Sequence, residues 1–282
     1  MNLLGIDFED WYHPELMKPY ISGKDKNPTV INGIDKILEL LRKNETLATF
    51  FLVGELLLVK PELQDKILDE GHEVAFHTMY HTRLDSEGYK EKFSDEIKNF
   101  EKLTSGKSKG FRAPTFSLND TSSWAIDMLR ECGYQYDSSV VPAKGKMYGL
   151  PNALTEPYRI SSSSIENDDP DSDMLEFPLL VTKFLGKKIP ACGGFYLRTL
   201  PMRIIKNAIR KYEDLNIPAT FYIHSWELTP EFFPKIPMNK KDEFVTYHNI
   251  EKAYPKMDEI LENFQFTSFS KYLQNESQRK NV

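Results

Sequence analysis

The chain of 282 residues has 36 basic and 42 acidic side chains, a net charge of -6, and 40% hydrophobic residues. This composition can bury a large core, which excludes an intrinsically disordered chain, and the lack of net positive charge argues against a general nucleic-acid binder. We see no N-terminal leader pattern and no apolar stretch near the roughly eighteen residues of a membrane span, so we expect no integral membrane span and a cytoplasmic location. Cys132 and Cys192 form no CxxC motif, which suits a reducing compartment.

Short apolar segments alternate with amphipathic ones along most of the chain. The predicted strands are residues 2–8, 46–53, 72–77, 110–114, 134–139, 174–180, 218–224 and 266–269. Helices are predicted over residues 34–41, 61–71, 93–104, 121–133, 205–212 and 250–262. Seven or eight such units predict an α/β fold with parallel strands, either a (β/α) barrel or a doubly wound open sheet. Neither GxGxxG nor GxxxxGK[ST] occurs, so common nucleotide-binding motifs are lacking.

Two parts of the chain depart from this alternation. Residues 139–200 predict an irregular insertion, and the acidic stretch 161–173 within it predicts a solvated surface loop, with a lid or specificity loop as the alternative. Residues 276–282 predict a frayed tail. We therefore expect one barrel domain over residues 1–275.

Ionisable residues stand at the carboxyl ends of five predicted strands, where barrel enzymes build their active sites. In chain order they are Asp7, Glu9 and Asp10, then His77, Arg112, Asp137 and His224. Each one alone has an ordinary explanation as a helix cap, a loop charge or a structural ion pair. Five such strand ends together indicate a functional site.

The segment HTMYH at residues 77–81 places two of the six histidines four positions apart. A turn of helix would bring His77 and His81 to one face, where both imidazoles could bind a metal ion. The acidic cluster DFED at residues 7–10 offers a carboxylate as the third ligand, which leaves positions open for water and substrate. An iron centre of the oxygenase kind is the non-hydrolytic alternative.

A metal centre of this kind suits the hydrolysis of an amide or an ester. The metal lowers the pKa of a bound water to about 7, and the reaction also needs a base and an acid. A second carboxylate of DFED is the candidate base, and His224 is the candidate acid, although a barrel-rim histidine without a catalytic role fits its position equally well. Arg112 is a candidate to orient the base, with a structural ion pair as the alternative.

Five motifs in order, from Asp7 to about Glu227, resemble those of the polysaccharide deacetylase family, carbohydrate esterase family four. The family's TFDDG is matched by DFEDW, its H-[ST]-x-x-H by HTMYH, its R-x-P by RAP, its strand aspartate by YDSS and its L-x-H by YIH. The flanking segments EDWYH, GFRAPTFSL and HSWE are similar to a subgroup associated with bacterial surface polysaccharide gene clusters.

The resemblance implies a deformed (β/α) barrel and a divalent metal ion, usually zinc. It also implies removal of an acetyl group from an N-acetylated sugar in a polysaccharide or in its lipid- or nucleotide-linked precursor. The metal ligands would be Asp10, His77 and His81. The remaining roles would be Glu9 as the base, His224 as the acid, Arg112 as the residue that holds the base, and Asp137 as a support.

The first motif departs from the family pattern. Glu9 stands where the family has its base aspartate, and the longer side chain displaces the carboxylate by about one bond. Asp7, at the family's threonine position, is therefore a rival base and a rival metal ligand. Because this motif is altered, a catalytically silent carbohydrate-binding relative of the deacetylase barrel is the alternative function.

Overall fold

The computed structural model describes residues 1–280, in which short strands alternate with helices. The strands are β1 (Asn2–Phe8), β2 (Thr49–Leu52), β3 (Glu73–Phe76), β4 (Gly110–Phe111), β5 (Tyr136–Asp137), β6 (Tyr158–Arg159), β7 (Leu175–Glu176), β8 (Val181–Phe184), β9 (Lys187–Pro190), β10 (Thr220–His224) and β11 (Phe266–Thr267). The α-helices are α1 (Ile34–Lys43), α2 (Glu55–Val59), α3 (Glu62–Asp69), α4 (Lys90–Thr104), α5 (Trp124–Glu131), α6 (Gly194–Thr199), α7 (Met202–Asp214), α8 (Ser225–Leu228), α9 (Lys240–Tyr247), α10 (Ala253–Asn263) and α11 (Phe269–Lys280).

The main sheet has the strand order β10-β1-β2-β3-β4-β5-β7-β6, and β11 pairs with the start of β1. Every pair in it is parallel except that of β6 with β7. Directly after β7, Leu179 forms a parallel bridge with Thr220 of β10, so the far end of the sheet curls back to its beginning. The predicted α/β fold, a deformed (β/α) barrel with parallel strands, is therefore confirmed, and the doubly wound open sheet is not adopted.

The alternation of residues along β1 separates two hydrophobic regions. Leu4, Ile6 and Phe8 belong to the large cluster that packs the helices against the outside of the sheet. Leu3 belongs to a smaller cluster that fills the barrel, together with Phe51, Ala75, Tyr136, Phe177 and Phe269. Gly5 and Asp7 lie on the same face as Leu3, because successive side chains of a strand point to opposite faces. Along the inward face of β1, the apolar Leu3 at the start is thus followed by the charged Asp7 at the carboxyl end.

Two segments differ from their predicted irregular structure. Residues 139–200 contain β6, β7, the antiparallel hairpin of β8 and β9, and helix α6. The acidic stretch 161–173 is fastened by the ion pair of Arg159 with Asp168 and contributes no side chain to the pocket described below. The tail predicted from residue 276 is helical as far as Lys280, and residues 281–282 lie outside the described part of the chain.

Candidate active site

Asp7 and Glu9 face the same pocket at the carboxyl end of β1. They are two positions apart, which places both carboxylates on the inward side of the strand. Asp7 pairs in register with His224 of β10 on one side and with Phe51 of β2 on the other. Both carboxylates are buried, each with only 2% of its surface exposed. Their burial requires partners, because an isolated buried charge is costly.

His77 and His81 reach the same place from the loop after β3. The prediction of a helical turn is not met, because residues 77–81 contain no helix, and Thr78 and His81 adopt positive φ angles of 59° and 52°. The loop is held by Thr78, whose hydroxyl accepts a hydrogen bond from the Thr82 amide at 3.0 Å. His77 Nδ1 lies 2.7 Å from the carbonyl oxygen of Arg112. A carbonyl can only accept, so Nδ1 carries the proton and Nε2 is free to bind a cation.

Glu9 completes a three-residue cluster with these histidines. One ligand atom from each of Glu9, His77 and His81 lies within 4.8 Å of the others. Glu9 Oε1 accepts a hydrogen bond from Trp226 Nε1 at 2.9 Å. Glu9 Oε2 lies 2.8 Å from His81 Nε2, yet it is buried without a well-aligned hydrogen bond. A carboxylate oxygen without a hydrogen bond and two imidazole nitrogens together form a donor set that divalent transition metals prefer. These three residues therefore fit such an ion.

The protonation states of the cluster favour metal binding. Burial lowers the pKa of His77 to about 4, so its imidazole is neutral near pH 7. Burial alone would raise the pKa of Glu9, but the close approach of the His81 imidazole, with those of His224 and His77 near by, holds it well below its usual range. A neutral imidazole and an ionised carboxylate are the forms that coordinate metals.

Asp10, expected as the metal carboxylate, points away from the histidines. Its Oδ1 accepts hydrogen bonds from the backbone amides of Trp11 and Thr29, both at 2.9 Å, and its Oδ2 accepts one from the Ile31 amide at 3.0 Å. The side chain thus fastens the loop after β1 to the segment that precedes α1. Glu9 occupies the place beside the histidines because odd-numbered residues of this strand face inward.

Asp7 is the carboxylate that Arg112 holds. Arg112 Nη1 donates to Asp7 Oδ1 at 2.6 Å. The guanidinium is fully buried, donates to the carbonyl and hydroxyl oxygens of Ser138 at 2.9 Å each, and lies 4.0 Å from the Phe51 ring centroid. It fits across the barrel because Gly5 has no side chain: a Cβ there would lie 2.6 Å from Arg112 Nη1. Arg112 therefore fixes the orientation of Asp7 rather than that of Glu9.

Asp137 lies behind this pair and does not reach the histidines. It is the register partner of Glu176 on β7, and burial raises the pKa of both carboxyl groups, further for Glu176 because of its acidic neighbour. Asp137 Oδ1 accepts a hydrogen bond from Ser139 Oγ at 2.6 Å, and that hydroxyl accepts one from the Ala113 amide at 2.8 Å. Asp137 thus supports the strand ends that carry Arg112.

His224 faces the cluster from the opposite side. Its Nε2 lies 3.7 Å from Glu9 Oε1, and its Nδ1 lies 2.8 Å from Glu227 Oε2. Arg198 Nε donates to the other oxygen of Glu227 at 2.7 Å. Burial alone would lower the pKa of His224, but the hydrogen bond and charge of Glu227, with the charges of Glu9 and Asp7, raise it to about 9. Its imidazole is therefore a proton donor near neutral pH.

Asp7, Glu9, His77, His81 and His224 all line one cavity of about 200 Å³. Its walls are largely aromatic and apolar, and they come from several segments, with Phe116, Met147, Tyr148, Phe195, Tyr222, Trp226, Val245 and Thr246 among the lining residues. Arg198 fastens one wall, because its guanidinium donates to the carbonyl oxygens of Val245, Thr246 and His248 at 2.8–3.1 Å. The cavity therefore offers an apolar recess beside two carboxylates and three imidazoles.

Sequence reasoning missed three residues of this site. Trp226 and Glu227 lie in the segment HSWE, where an aromatic and an acidic residue closely follow a strand-end histidine, and this pattern carried the signal. Arg198 lies in the segment predicted to be irregular, and nothing in its surroundings marks it. Its role depends on tertiary contacts with Glu227 and α9.

Two family models match consecutive parts of the chain. The model described as polysaccharide deacetylase matches residues 25–136, and a domain of unknown function, DUF3473, matches residues 138–274. The first match contains His77, His81 and Arg112, and the second contains His224 and Glu227. Asp7 and Glu9 precede both matches.

Curated relatives match over shorter stretches. A peptidoglycan-N-acetylglucosamine deacetylase of Bacillus cereus is 36% identical over 104 residues, which cover 36% of this chain and 46% of the relative. A chitooligosaccharide deacetylase of Bradyrhizobium sp. is 44% identical over 48 residues, which cover 17% of this chain and 22% of the relative. The matched part spans less than half the length of each of these relatives.

Solved structures show the same fold over nearly the whole chain. A polysaccharide deacetylase crystal structure from Mycobacterium smegmatis, described there as putative, superposes with a TM-score of 0.62 at 16% identity, covering 99% of this chain and 91% of that one. A 4-alpha-glucanotransferase from Thermococcus litoralis has a TM-score of 0.56 at 17% identity, covering 98% of this chain and 38% of that one. At such identities the likeness concerns the fold alone. Residues 25–136 are therefore similar to the polysaccharide deacetylase family, and nearly the whole chain shares the fold of these solved structures.

Proposed function

We propose that the protein is a metal-dependent hydrolase that removes the acetyl group from an N-acetylated sugar. The observation that carries this proposal is the convergence of three units on one cavity: the Glu9–His77–His81 cluster, the Asp7–Arg112 pair and the His224–Glu227 pair. Deacetylase relatives that act on N-acetylated glycans support the sugar as substrate.

Glu9, His77 and His81 would hold the metal ion, and we propose zinc, since two imidazoles and a carboxylate suit it. When bound, the ion supplies a water of lowered pKa and polarises the acetyl carbonyl. Trp226 keeps Glu9 Oε1 occupied, so that Oε2 turns to the histidines.

Asp7 is the proposed general base, and Arg112 keeps one of its oxygens fixed. In the reaction, water oxygen forms a bond to the acetyl carbon while Asp7 takes the proton that the water loses. The C–N bond then breaks, and His224 Nε2 gives its proton to the leaving amine. The products are acetate and a sugar with a free amino group, and Glu227 stabilises the imidazolium of His224 before the transfer.

The sugar would enter with its acetyl group in the aromatic part of the cavity. Phe116, Tyr148 and Tyr222 offer ring faces to the apolar C–H groups of the acetyl methyl and the sugar ring. A precursor of a bacterial surface polysaccharide, as the segments around the motifs suggest, is the substrate class that we propose.

The proposal is tested by metal content and acetate release in the same preparation. Elemental mass spectrometry should find about one divalent ion per chain, the number that a single three-ligand centre holds. The double variant H77A/H81A should contain none and should release no acetate from N-acetylglucosamine oligosaccharides. Because a variant with a misfolded barrel would give the same result, circular dichroism of the variant must match that of the parent.

Two outcomes would contradict the proposal. Protein that stays metal-free after incubation with zinc would lack the centre on which hydrolysis depends. If the parent binds N-acetylated sugars in calorimetry but releases no acetate, and the variant E9A binds them equally well, the protein would be the silent carbohydrate-binding relative instead.

A further inference from the structure

The hairpin of β8 and β9 stands outside the main sheet and ends in an exposed apolar tip. Leu185 is 87% exposed and Phe184 is 38% exposed. Leu185 and Gly186 form the two-residue turn with φ angles of 48° and 76°. Asparagine, aspartate or glycine normally occupies such a position, because other side chains are strained at positive φ. A leucine at this position strains the turn and exposes apolar surface to water. Its presence indicates that the tip of the hairpin contacts another surface.

Lysines surround the tip, although the protein as a whole is acidic. Lys183 and Lys187 are exposed on the hairpin, and Lys188 donates to the carbonyl oxygen of Pro151 at 3.0 Å. No acidic residue occurs between residues 177 and 212. Among the described residues, none of these three lysines forms an ion pair, so their charges are not neutralised within the protein.

A neighbouring loop repeats the same combination. Lys144 and Lys146 are exposed, and Met147 is 37% exposed. Both lysines and Met147 line a cleft of about 200 Å³ together with Pro190, the last residue of the hairpin. We call residues 144–147 and 183–188 the basic rim. It combines five lysines with three exposed apolar side chains.

The basic rim borders the entrance of the catalytic cavity. Met147, Tyr148, Phe195 and Val245 line both that cavity and the cleft at the base of the hairpin. The chain passes from Pro190 at the end of β9 to Gly194 in the wall of the catalytic cavity within four residues. Whatever binds the rim is therefore held next to the site of reaction.

We propose that the basic rim docks on the surface of an anionic lipid bilayer. Apolar side chains at a turn can enter the boundary between head groups and acyl chains, while lysines around them reach the lipid phosphates. A protein partner suits the rim less well, because stable interfaces bury about 800 Å² on each side, and the rim offers only three exposed apolar side chains spread among lysines. None of the helices in residues 1–280 is long and apolar enough to cross a membrane, so contact through the rim would be peripheral.

This inference concerns the surface and goes beyond the proposed reaction. If the proposed function also holds, a rim of this kind favours an N-acetylated sugar on a membrane lipid over one on a soluble nucleotide. Vesicle binding can be measured without turnover, so failure of one proposal does not decide the other.

The test is co-sedimentation of the full chain with vesicles of phosphatidylcholine alone or mixed with phosphatidylglycerol. We expect binding to the mixed vesicles that weakens as salt is raised, and little binding to the neutral ones. The variant F184S/L185S should weaken binding by about tenfold. Its matched control is L58S/V59S, which changes two residues on α2 that are 56% and 59% exposed.

A charge series gives a second, independent measurement. The variant K183Q/K187Q should weaken binding to mixed vesicles, whereas K240Q/K241Q, at exposed lysines of α9, should weaken it less. Acetate release from a soluble oligosaccharide should be the same in F184S/L185S and in the parent, since neither residue lines the catalytic cavity. The proposal is overturned if the parent binds neither kind of vesicle, or if the hairpin variants and their controls lose binding equally.

Discussion

Glu9 uses its two carboxylate oxygens differently, because Trp226 holds Oε1 while Oε2 faces His81. In Asp10, the next residue, both carboxylate oxygens accept hydrogen bonds from backbone amides, three in all. Of these two adjacent acidic residues, Glu9 thus lies in the proposed metal site and Asp10 stabilises the loop. The division follows from strand geometry, since side chains of successive residues leave a strand on opposite faces.

Conservative amide substitutions should separate these two functions. E9Q removes the negative charge beside the histidines and should lower metal affinity at least about tenfold, with little change in the melting temperature. D10N places an amide group against backbone N–H donors and should destabilise the fold by about 1–3 kcal/mol while the metal stays bound. Metal titration and thermal unfolding of both variants measure the two effects, and loss of metal from D10N alone would reverse our assignment.

Asp7 should matter for turnover but not for metal binding. D7N keeps the size of the side chain and a partner for Arg112, but it cannot take a proton. We expect kcat to fall by about 100- to 10,000-fold, as for loss of a general base, with metal content unchanged. A D7N enzyme that retains most of its activity would return the role of base to Glu9.

His224 should set the alkaline limb of the activity profile. It donates a proton only while protonated, so kcat falls as the pH rises through its pKa, which is about 9 without a cation. A bound cation cancels part of the negative charge of Glu9, so the limb of the loaded enzyme lies lower. E227Q removes the carboxylate that raises this pKa and should move the limb to lower pH still, whereas an unchanged limb would remove His224 as the acid.

At the scale of elements, β1 contributes Gly5, whose lack of a side chain leaves room for Arg112. Arg112 crosses the barrel through the space above Gly5 and reaches Asp7 on the same strand. Strand β1 therefore carries the proposed base and leaves the room for the arginine that orients it.

The variant G5A should disturb stability and activity together. Its methyl group would lie 2.6 Å from Arg112 Nη1 and 2.8 Å from a Phe51 ring carbon, so the guanidinium must shift. Overpacking of this kind costs about 1–3 kcal/mol, and kcat should fall because Asp7 loses its fixed partner. The control G88A lies in a loop where nothing surrounds a Cβ, but its φ of +67° strains an alanine, so it should lower stability and leave kcat intact.

The predictability of the elements follows from how their residues are buried. β1, β2, β3 and β10 were predicted because buried parallel strands are continuous apolar runs, which a sequence displays directly. The hairpin of β8 and β9 was not predicted, since its lysines and exposed tip interrupt any apolar pattern. The histidine loop was assigned to a helical turn because spacing alone cannot reveal two positive φ angles.

At the scale of the whole molecule, the sequence predicted that Asp7, Glu9, His77 and His224 converge, but not that Asp10 points away, nor how the residues are paired. The strand-end rule brought Asp7, Glu9, His77 and His224 to one rim of the barrel. The attachment of Arg112 to Asp7, and of Glu227 to His224, depends on side-chain directions inside the closed barrel. Such contacts involve residues far apart in the chain, and no local pattern encodes them.

The pairing of β1 with β10 joins two segments that lie far apart in the chain, so we expect the proposed catalytic centre to assemble late in folding. Asp7 and His224 become neighbours only when these strands are in register, and contacts between distant segments form slowly in folding. During refolding, we expect acetate release to recover later than the helical circular dichroism signal, and simultaneous recovery would contradict this order. On the ribosome, a growing chain would carry the proposed base and metal ligands long before the proposed acid, so under our assignment no partly synthesised chain could release acetate.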